Sequence, residues 1–345
     1  MTVGVGVIGL GFMGATHVRA YASANAAGFA NRLVAVADGN AERLAGSAPV
    51  RGNLGSDTGE RLFDPSRVRG SHDPMGVIEC PDVQLISICT PTDSHAELAI
   101  AAMERGKHVL IEKPVAISTA EVERVRDAAV RSGVLCMPAM CMRFWPGWTW
   151  LKRKVSDRSL GRVRSAVFTR LGTRPGWSDF YADDARCGGA LFDLHIHDAD
   201  IVRYLFGMPD EVVSVGTRAH VTTMYRYGRG SDGPVHVVAE GGWDNAEGFG
   251  FRMRYRVVFE EATAEFDLAR SPRLMVSRDG RCEPVETDDT LTGYDGEIRA
   301  AVDAVEHGRP SPVDIRDTVG VTRLLGHELE SLESGRVVRV GVGGP

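Results

Sequence analysis

Residues 3–14, VGVGVIGLGFMG, join a run of mostly β-branched residues to a glycine pattern of the form G-x-G-x-x-G. The run Val3–Ile8 predicts a buried strand, and residues 15–24 after the glycines predict a helix. Within a β-α-β unit, a glycine loop in this position is typical of proteins that hold a dinucleotide pyrophosphate at a helix N-terminus. The stretch therefore predicts a Rossmann-type dinucleotide site at the start of the chain.

Each glycine of this loop has a separate task. Gly9 permits the tight turn, Gly11 lets the backbone approach the pyrophosphate, and Gly14 lets the helix pack closely on the strand. Phe12 and Met13 lie between the second and third glycines. We therefore assign all five residues to cofactor binding.

The acidic residue that such a unit needs is Asp38, which follows the predicted strand 32–37 roughly 20 positions after the glycines. Its carboxylate can accept hydrogen bonds from both hydroxyls of the adenosine ribose, and it would repel a 2′-phosphate. Positions 39 and 40 are not arginine. The sequence therefore predicts NAD as the cofactor in preference to NADP.

The first part of the chain alternates strand-like and helix-like segments, which argues for an α/β domain with a doubly wound parallel sheet. Further predicted strands are 84–89, His108–Ile111 and 134–137, and further predicted helices are 94–105 and 118–131.

The second part is different because its strands mostly follow one another without intervening helices. Predicted strands are 162–169, Glu211–Thr217, 235–240, 252–260 and 262–267, and predicted helices are 192–206, 294–307 and 317–334. We predict an α+β domain on a mostly antiparallel, open sheet. The predicted boundary near Pro138 gives an NAD-binding domain, 1–138, and a domain for substrate binding and oligomerisation, 139–345.

Two polar loops follow strands of the first domain. In an open α/β sheet, ligands bind beyond the carboxyl ends of the strands. We therefore assign to the cofactor site Thr90 and Pro91 after one strand, His95 at the start of the next helix, and Glu112 and Lys113 after another. Lys113 should point into the cofactor crevice.

Residues 188–200, GGALFDLHIHDAD, concentrate histidines and aspartates in the predicted helix 192–206. A helix would place Asp193 and His197 on one face, at i and i+4, with His195 about 160° away. A metal site would need these side chains to converge, so no metal is predicted. A carboxylate that orients an imidazole base is one interpretation. A helix whose polar residues bond to each other and to loops is the other.

Composition excludes several classes of protein. The formal charge of −6 and the scattered arginines argue against a nucleic-acid binder. The start of the chain lacks the basic region of a signal peptide, and no apolar run approaches the roughly 18 residues of a membrane span. The six cysteines form no C-x-x-C pair and no zinc spacing. We expect free thiols and a cytoplasmic location.

Taken together, these segments resemble the Gfo/Idh/MocA family of dehydrogenases. The matching segments are GLGFMG (9–14), CTPTDSH (89–95), EKP (112–114), RFWP (143–146), LGRVRS (160–165), GGALFDLHIHDADI (188–201) and RDTVGVTRLLGHELESLESGRVV (316–338). The resemblance implies that Lys113, Asp193 and His197 are catalytic: His197 as general base on the substrate hydroxyl, Lys113 bridging substrate and cofactor, and Asp193 tuning His197. It also implies a homodimer or homotetramer formed through the open C-terminal sheet.

Three further residues are candidates for substrate contact. Arg143 lies in CMRFWP, which lacks the polar residue that often precedes this segment in the family, and the loop 46–74 also looks longer than usual. Trp177 lies in GTRPGWSDF and could offer an aromatic platform to a sugar ring. His195 occupies a position where many relatives carry a small residue, so it either reaches substrate or fills space.

The leading prediction is an NAD-dependent dehydrogenase that oxidises a secondary hydroxyl of a sugar, amino sugar or cyclitol, or catalyses the reverse reduction. One alternative is a glycosidase or eliminase that uses tightly bound NAD for transient oxidation. Another is an NAD(H)-binding regulatory protein without turnover, and a metal-dependent hydrolase is a distant fourth. A small polyol or sugar is the expected partner, with no nucleic acid and no membrane.

Overall fold

The computed structural model describes residues 2–46, 61–176, 178–228 and 233–341 of the 345-residue chain. The chain divides into two compact units: unit 1 comprises Met1–Phe144 and Thr292–Val319, and unit 2 comprises Trp145–Leu291 and Gly320–Pro345. Residues 292–319, placed by the predicted boundary in the second domain, group with unit 1. The assignment of cofactor binding to 1–138 and substrate binding to 139–345 stays a prediction.

The elements of the described residues follow in chain order. The strands are β1 (Val3–Ile8), β2 (Asn31–Ala37), β3 (Arg69–Ser71), β4 (Leu85–Ile88), β5 (His108–Ile111), β6 (Cys136–Pro138), β7 (Val163–Leu171), β8 (Glu211–Thr217), β9 (His220–Arg226), β10 (His236–Gly242), β11 (Arg252–Phe259), β12 (Thr263–Asp267), β13 (Leu274–Arg278), β14 (Arg281–Pro284) and β15 (Val338–Arg339). The α-helices are α1 (Phe12–Ala26), α2 (Ala41–Leu44), α3 (Met75–Ile78), α4 (His95–Glu104), α5 (Thr119–Ser132), α6 (Pro146–Asp157), α7 (Asp184–Cys187), α8 (Gly189–Asp193), α9 (Ile196–Phe206), α10 (Gly293–His307) and α11 (Ile315–Ser334). Short 3-10 turns occupy Thr92–Ser94, Cys141–Phe144 and Asp179–Ala182.

Unit 1 is built on a six-stranded parallel sheet in the order β3-β2-β1-β4-β5-β6. Every residue of β1 and β4 is buried, as expected for strands whose two faces are both covered. The strand order reverses direction between β1 and β4, and this switch point is where ligands bind in doubly wound sheets. The predicted parallel Rossmann sheet is confirmed.

Helix boundaries in unit 1 follow from local chemistry. The Ser118 side chain accepts a hydrogen bond from the backbone N–H of Glu121 and caps α5, which ends at Gly133 with a left-handed φ of 65°. Helix α10 begins with a capping box between Thr292 and Asp295. These caps stop the helices close to the positions predicted from the sequence.

Unit 2 is built on a nine-stranded sheet in the order β14-β13-β12-β11-β7-β10-β9-β8-β15. Strands β7 and β10 pair in parallel, and the remaining neighbours are antiparallel. Alternate residues of β11 are buried, as in a sheet with one covered and one open face. The predicted mostly antiparallel sheet is confirmed, although strands β9, β13, β14 and β15 and helix α6 were not predicted.

The predicted single helix 192–206 is wrong, because the structure breaks it into α8 and α9 with Leu194 and His195 between them. The backbone N–H of His195 donates to the carbonyl of Ala190 at 2.8 Å and closes α8. The carbonyl of His195 then accepts from the N–H of Asp198 at 2.9 Å and opens α9. Asp193 and His197 therefore lie in two different helices and do not share the face of one helix.

Candidate active site

The glycine loop of unit 1 follows β1 and opens α1, as predicted. Gly9 has a φ of +87°, and a Cβ there would lie 2.7 Å from the carbonyl oxygen of Cys89. A Cβ at Gly14 would collide with the Gly9 carbonyl. At Gly11 a Cβ would meet nothing within 4 Å except a guanidinium nitrogen of Arg43 at 3.9 Å. The loop is therefore tight at its first and third glycines and open at the second, where a pyrophosphate would approach.

Asp38 lies directly beneath this loop. One of its carboxylate oxygens accepts the backbone N–H of Leu10 at 2.6 Å, and the other accepts that of Asn40 at 2.8 Å. Arg43 in α2 donates to the first oxygen at 3.3 Å. This arginine was missed because the sequence argument considered only positions 39 and 40. The bonds orient the carboxylate at the end of β2 and leave it acceptor sites for ribose hydroxyls.

His95 ties together the two loops that follow β4 and β5. Its Nδ1 lies 2.9 Å from the carbonyl oxygen of Pro114, and its Nε2 lies 2.8 Å from that of Thr90. Burial lowers the pKa of His95, although both carbonyls favour its protonated form. Both ring nitrogens of His95 therefore lie at hydrogen-bond distance from backbone carbonyl oxygens. The cofactor contacts of His95, Thr90 and exposed Pro91 stay predictions.

Glu112 faces the interior of unit 1. Its Oε1 is 3.0 Å from Nε2 of His17, whose Nδ1 is 3.1 Å from the Ser87 hydroxyl. Its Oε2 accepts the backbone N–H of Lys113 at 3.0 Å. The carboxylate thus braces the peptide that carries Lys113, a half-buried residue at the carboxyl end of β5.

A second carboxyl group, that of Glu297 in α10, lies beside this pair. Its Oε1 is 3.9 Å from Nε2 of His17, and its side chain is fully buried. Ligand atoms of His17, Glu112 and Glu297 lie within 4.8 Å of one another, a spacing that could hold a metal ion. Burial and the neighbouring charge of Glu112 raise the pKa of Glu297 well above its usual range. The cluster was not predicted, since its members lie on α1, in the loop after β5 and on α10.

Two of the predicted substrate contacts remain untested. Arg143 is buried, and its guanidinium donates to a carboxylate oxygen of Asp317 at 2.9 Å within unit 1. Trp177 lies outside the described residues.

In unit 2, the helix break separates the polar residues of 193–200. Half-buried Asp193 ends α8, and His197 is the second residue of α9 and is buried. Asp198 forms a bidentate pair with Arg170 of β7, at 2.9 and 3.1 Å. Both of these side chains are almost completely buried. Asp198 therefore holds α9 against the sheet.

His195 is fully buried. Its Nε2 lies 2.9 Å from a carboxylate oxygen of Glu328 in α11 and 3.1 Å from the hydroxyl of Tyr225 in β9. Residues of unit 2 therefore enclose the imidazole, and its contact with substrate stays a prediction that this geometry does not favour.

The fold and the glycine loop define a dinucleotide-binding oxidoreductase. Residues 3–140 match the family described as "Oxidoreductase family, NAD-binding Rossmann fold", and residues 148–265 match the "GFO/IDH/MocA C-terminal domain". The chain belongs to the Gfo/Idh/MocA family. The predictions of this family, of an oxidoreductase and of NAD as cofactor are confirmed.

Curated relatives are named as sugar and inositol dehydrogenases. The chain is 26% identical to myo-inositol 2-dehydrogenase of Thermotoga maritima over 97% of its length and 98% of the relative's. It is 33% identical to scyllo-inositol 2-dehydrogenase (NAD(+)) of Bacillus subtilis, where the match spans 46% of each chain. A solved structure of levoglucosan dehydrogenase with NADH and levoglucosan superposes with a TM-score of 0.82 at 23% identity, covering 99% of this chain and 100% of that one. The last likeness concerns the fold alone.

Proposed function

We propose that the protein is an NAD-dependent dehydrogenase that oxidises a secondary hydroxyl of a sugar, amino sugar or cyclitol, or catalyses the reverse reduction. The observation that carries the proposal is the glycine loop at the switch point of the parallel sheet. The loop leaves open space at Gly11, and the Asp38 carboxylate lies beside it. The names of the relatives, which include inositol 2-dehydrogenases and a levoglucosan dehydrogenase, support the substrate class.

The glycine loop and the N-terminus of α1 bind the pyrophosphate in this proposal, and Asp38 binds the adenosine ribose. The first turn of α1 carries no acidic residue that would oppose a phosphate. When bound, NAD supplies the hydride acceptor, and the protein supplies binding, orientation and electrostatics. The preference for NAD over NADP rests on the Asp38 carboxylate, with Arg43 as its neighbour.

We assign the chemistry of the hydroxyl to three residues. His197 takes the hydroxyl proton as the carbinol carbon loses hydride. The Lys113 ammonium stabilises the negative charge that develops on that oxygen. Asp193 stabilises the charged imidazole of His197. Support for Lys113 comes from its position after β5, where Glu112 and the His95-linked loops hold its backbone.

We also propose that the open face of the unit 2 sheet forms a homodimer or homotetramer. Val215 of β8 and Met224 of β9 are 60% and 42% exposed on this face. Large apolar side chains on a sheet face are typical of surfaces that pack against another copy.

No helix among the described residues is long and apolar enough to cross a membrane. The cytoplasmic location stays a prediction.

The test is to remove bound nucleotide from the purified protein and follow NADH formation from NAD. The panel contains myo-inositol, scyllo-inositol, levoglucosan, D-xylose, amino sugars and glycosides. Steady NADH formation with one subgroup is the expected result. Absence of NADH from every compound overturns the proposal, and NAD-dependent cleavage of a glycoside without net NADH would favour transient oxidation instead.

Two substitutions test the residue assignments. Lys113→Ala and His197→Ala should each remove turnover and leave NAD affinity largely intact. Lys154→Ala in α6 and His327→Ala in α11 are matched controls that remove the same types of side chain elsewhere and should keep wild-type turnover. Unchanged turnover in either of the first two variants would contradict the assignment of that residue.

A further inference from the structure

A buried polar network lies behind the break between α8 and α9. The carboxylate of Glu328 accepts the Thr223 hydroxyl at 3.0 Å and the Tyr225 hydroxyl at 2.9 Å, and it lies 2.9 Å from Nε2 of His195. The side chains of His195 and Glu328 are fully buried. All four residues belong to unit 2. Tyr225 and Glu328 thus contact Nε2 of the imidazole, and Thr223 holds the Glu328 carboxylate.

The opposite side of the imidazole packs against strand β10. A Cβ on Gly241 would lie 2.7 Å from Nδ1 of His195 and 2.8 Å from its Cβ. Gly241 therefore provides the space that the ring occupies, since any larger residue would displace it. The ring is enclosed by the sheet on one side and by the Glu328 carboxylate on the other.

Charge reinforces this arrangement. Burial by itself lowers the pKa of His195, but attraction to the Glu328 carboxylate and the hydrogen bond to it outweigh this, so that the pKa is raised overall. Asp198 adds to the rise, and Arg170 opposes it. The Glu328 carboxylate makes the hydrogen bond at His195 Nε2 charge-assisted and stronger than a neutral one, whereas the buried Nδ1 has no hydrogen-bond partner among the described residues.

The backbone of His195 joins the two helices that this bond anchors. Its N–H closes α8 at the carbonyl of Ala190, and its carbonyl opens α9 through Asp198. Asp193 lies two residues before His195, and His197 lies two residues after it. A shift of the His195 backbone therefore moves the ends of both helices, and the side chain of His195 anchors that backbone.

We propose that His195 and Glu328 are positioning residues for His197: their buried pair fixes the turn between α8 and α9 and so sets the orientation of His197 relative to Asp193. This inference rests on the proposed function, in which His197 is the base. A general base displaced by about 1 Å can lose about 100-fold in rate, so the pair affects turnover without touching substrate.

The experiment measures kcat and KM of three variants, using the substrate from which the wild type forms NADH in the panel. His195→Ala removes the donor to Glu328. His195→Gln keeps an amide donor at a similar reach. Leu205→Ala opens a cavity at the far end of α9, which should lower the urea midpoint, and it leaves the turn untouched.

We expect His195→Ala to lower kcat between about tenfold and 100-fold, with the KM for NAD within about twofold of wild type. His195→Gln should recover most of the loss, and Leu205→Ala should lose stability but keep kcat. A kcat in His195→Ala equal to that of Leu205→Ala would overturn the proposal. If His195→Ala does not fold, Glu328→Leu replaces it and should show the same loss of kcat, because it removes the acceptor of the His195 hydrogen bond and keeps most of the side-chain volume.

A second readout needs no substrate and separates this inference from the proposed function. With ¹⁵N-labelled histidine, the imidazole of His197, assigned through His197→Asn, should give one sharp set of signals in wild type and in His195→Gln. In His195→Ala the set should be doubled or broadened by exchange. If wild type oxidises nothing in the panel, the proposed function fails while this signature still tests the pair. Identical, sharp His197 signals in wild type, His195→Gln and His195→Ala would overturn the proposal that the pair positions His197.

Discussion

Replacing Glu297 by glutamine should make the protein more stable, and increasingly so as the pH rises. The Glu297 carboxyl lies fully buried in unit 1, beside His17 and Glu112. Neither of its oxygens has a hydrogen-bonding partner among the described residues. Burial and then the charge of Glu112 raise its pKa well above the usual range, so the folded protein keeps this proton at a higher pH than the unfolded chain does.

The sign and magnitude follow from proton linkage. In the unfolded chain a glutamate ionises above about pH 4.3. Because the folded state retains the proton, the stabilisation from Glu297 is complete below that pH and is lost as the pH rises toward the folded pKa. The free energy of unfolding then falls by about 1.4 kcal/mol per pH unit. Above about pH 4.3 the wild type should therefore lose stability relative to Glu297→Gln, whose amide does not titrate, by up to about 1.4 kcal/mol per pH unit until the folded carboxyl ionises.

The assay is urea unfolding followed by far-UV circular dichroism at pH 6, 7 and 8. Glu283→Gln, on the exposed strand β14, is the matched control and should keep the wild-type slope. Parallel pH profiles for wild type and Glu297→Gln would refute the reasoning. A wild-type profile that becomes steeper after EDTA treatment would place a cation among His17, Glu112 and Glu297, since a cation keeps both carboxyls ionised.

Four further substitutions separate folding from binding. Gly14→Ala should destabilise the protein by about 1–3 kcal/mol or prevent folding. Gly11→Ala should keep the wild-type urea midpoint, because its methyl group enters open space, and should weaken NAD binding measured by calorimetry. Equal urea midpoints for the two variants would contradict this difference. Asp38→Asn should reduce the ratio of NAD affinity to NADP affinity about tenfold, or about 1.4 kcal/mol, because Arg43 then lacks its carboxylate partner. An unchanged ratio would exclude Asp38 as the residue that sets the preference for NAD. Asp198→Asn should cost about 3–5 kcal/mol in urea unfolding, since it leaves a buried arginine without its ion pair; a loss below about 1 kcal/mol would disprove that.

Local patterns were sufficient for most of the fold. Strands Val3–Ile8, His108–Ile111 and Glu211–Thr217 have the predicted bounds, because buried or alternating β-branched runs are visible in a short window. The hairpin of β13 and β14 was missed although its turn carries a strong signal. Asp279 and Gly280 both have positive φ, at 51° and 75°. Asp-Gly in such a turn is typical of a two-residue hairpin.

Strand β14 is exposed along its whole length, so no hydrophobic alternation marks it in the sequence. The same limit applies to the site. Asp38 and the glycine loop could be placed because they lie in one β-α-β unit, whereas Arg43 and Glu297 reach their positions through tertiary packing. Residues within one supersecondary unit are predictable from spacing, and residues that several elements bring together are not.

The stretch 193–200 shows why spacing alone could not decide its chemistry. The helical period predicts one regular helix through the stretch, but the structure has two helices that meet at Leu194 and His195, where His195 and Asp198 bond to partners elsewhere in the chain. The contact between His195 and Glu328 spans 133 residues, and that between Arg170 and Asp198 spans 28. These contacts hold His195 Nε2 and the Asp198 carboxylate inside unit 2. Sequence spacing cannot show such contacts, because their partners lie on β7 and α11, far from the stretch along the chain.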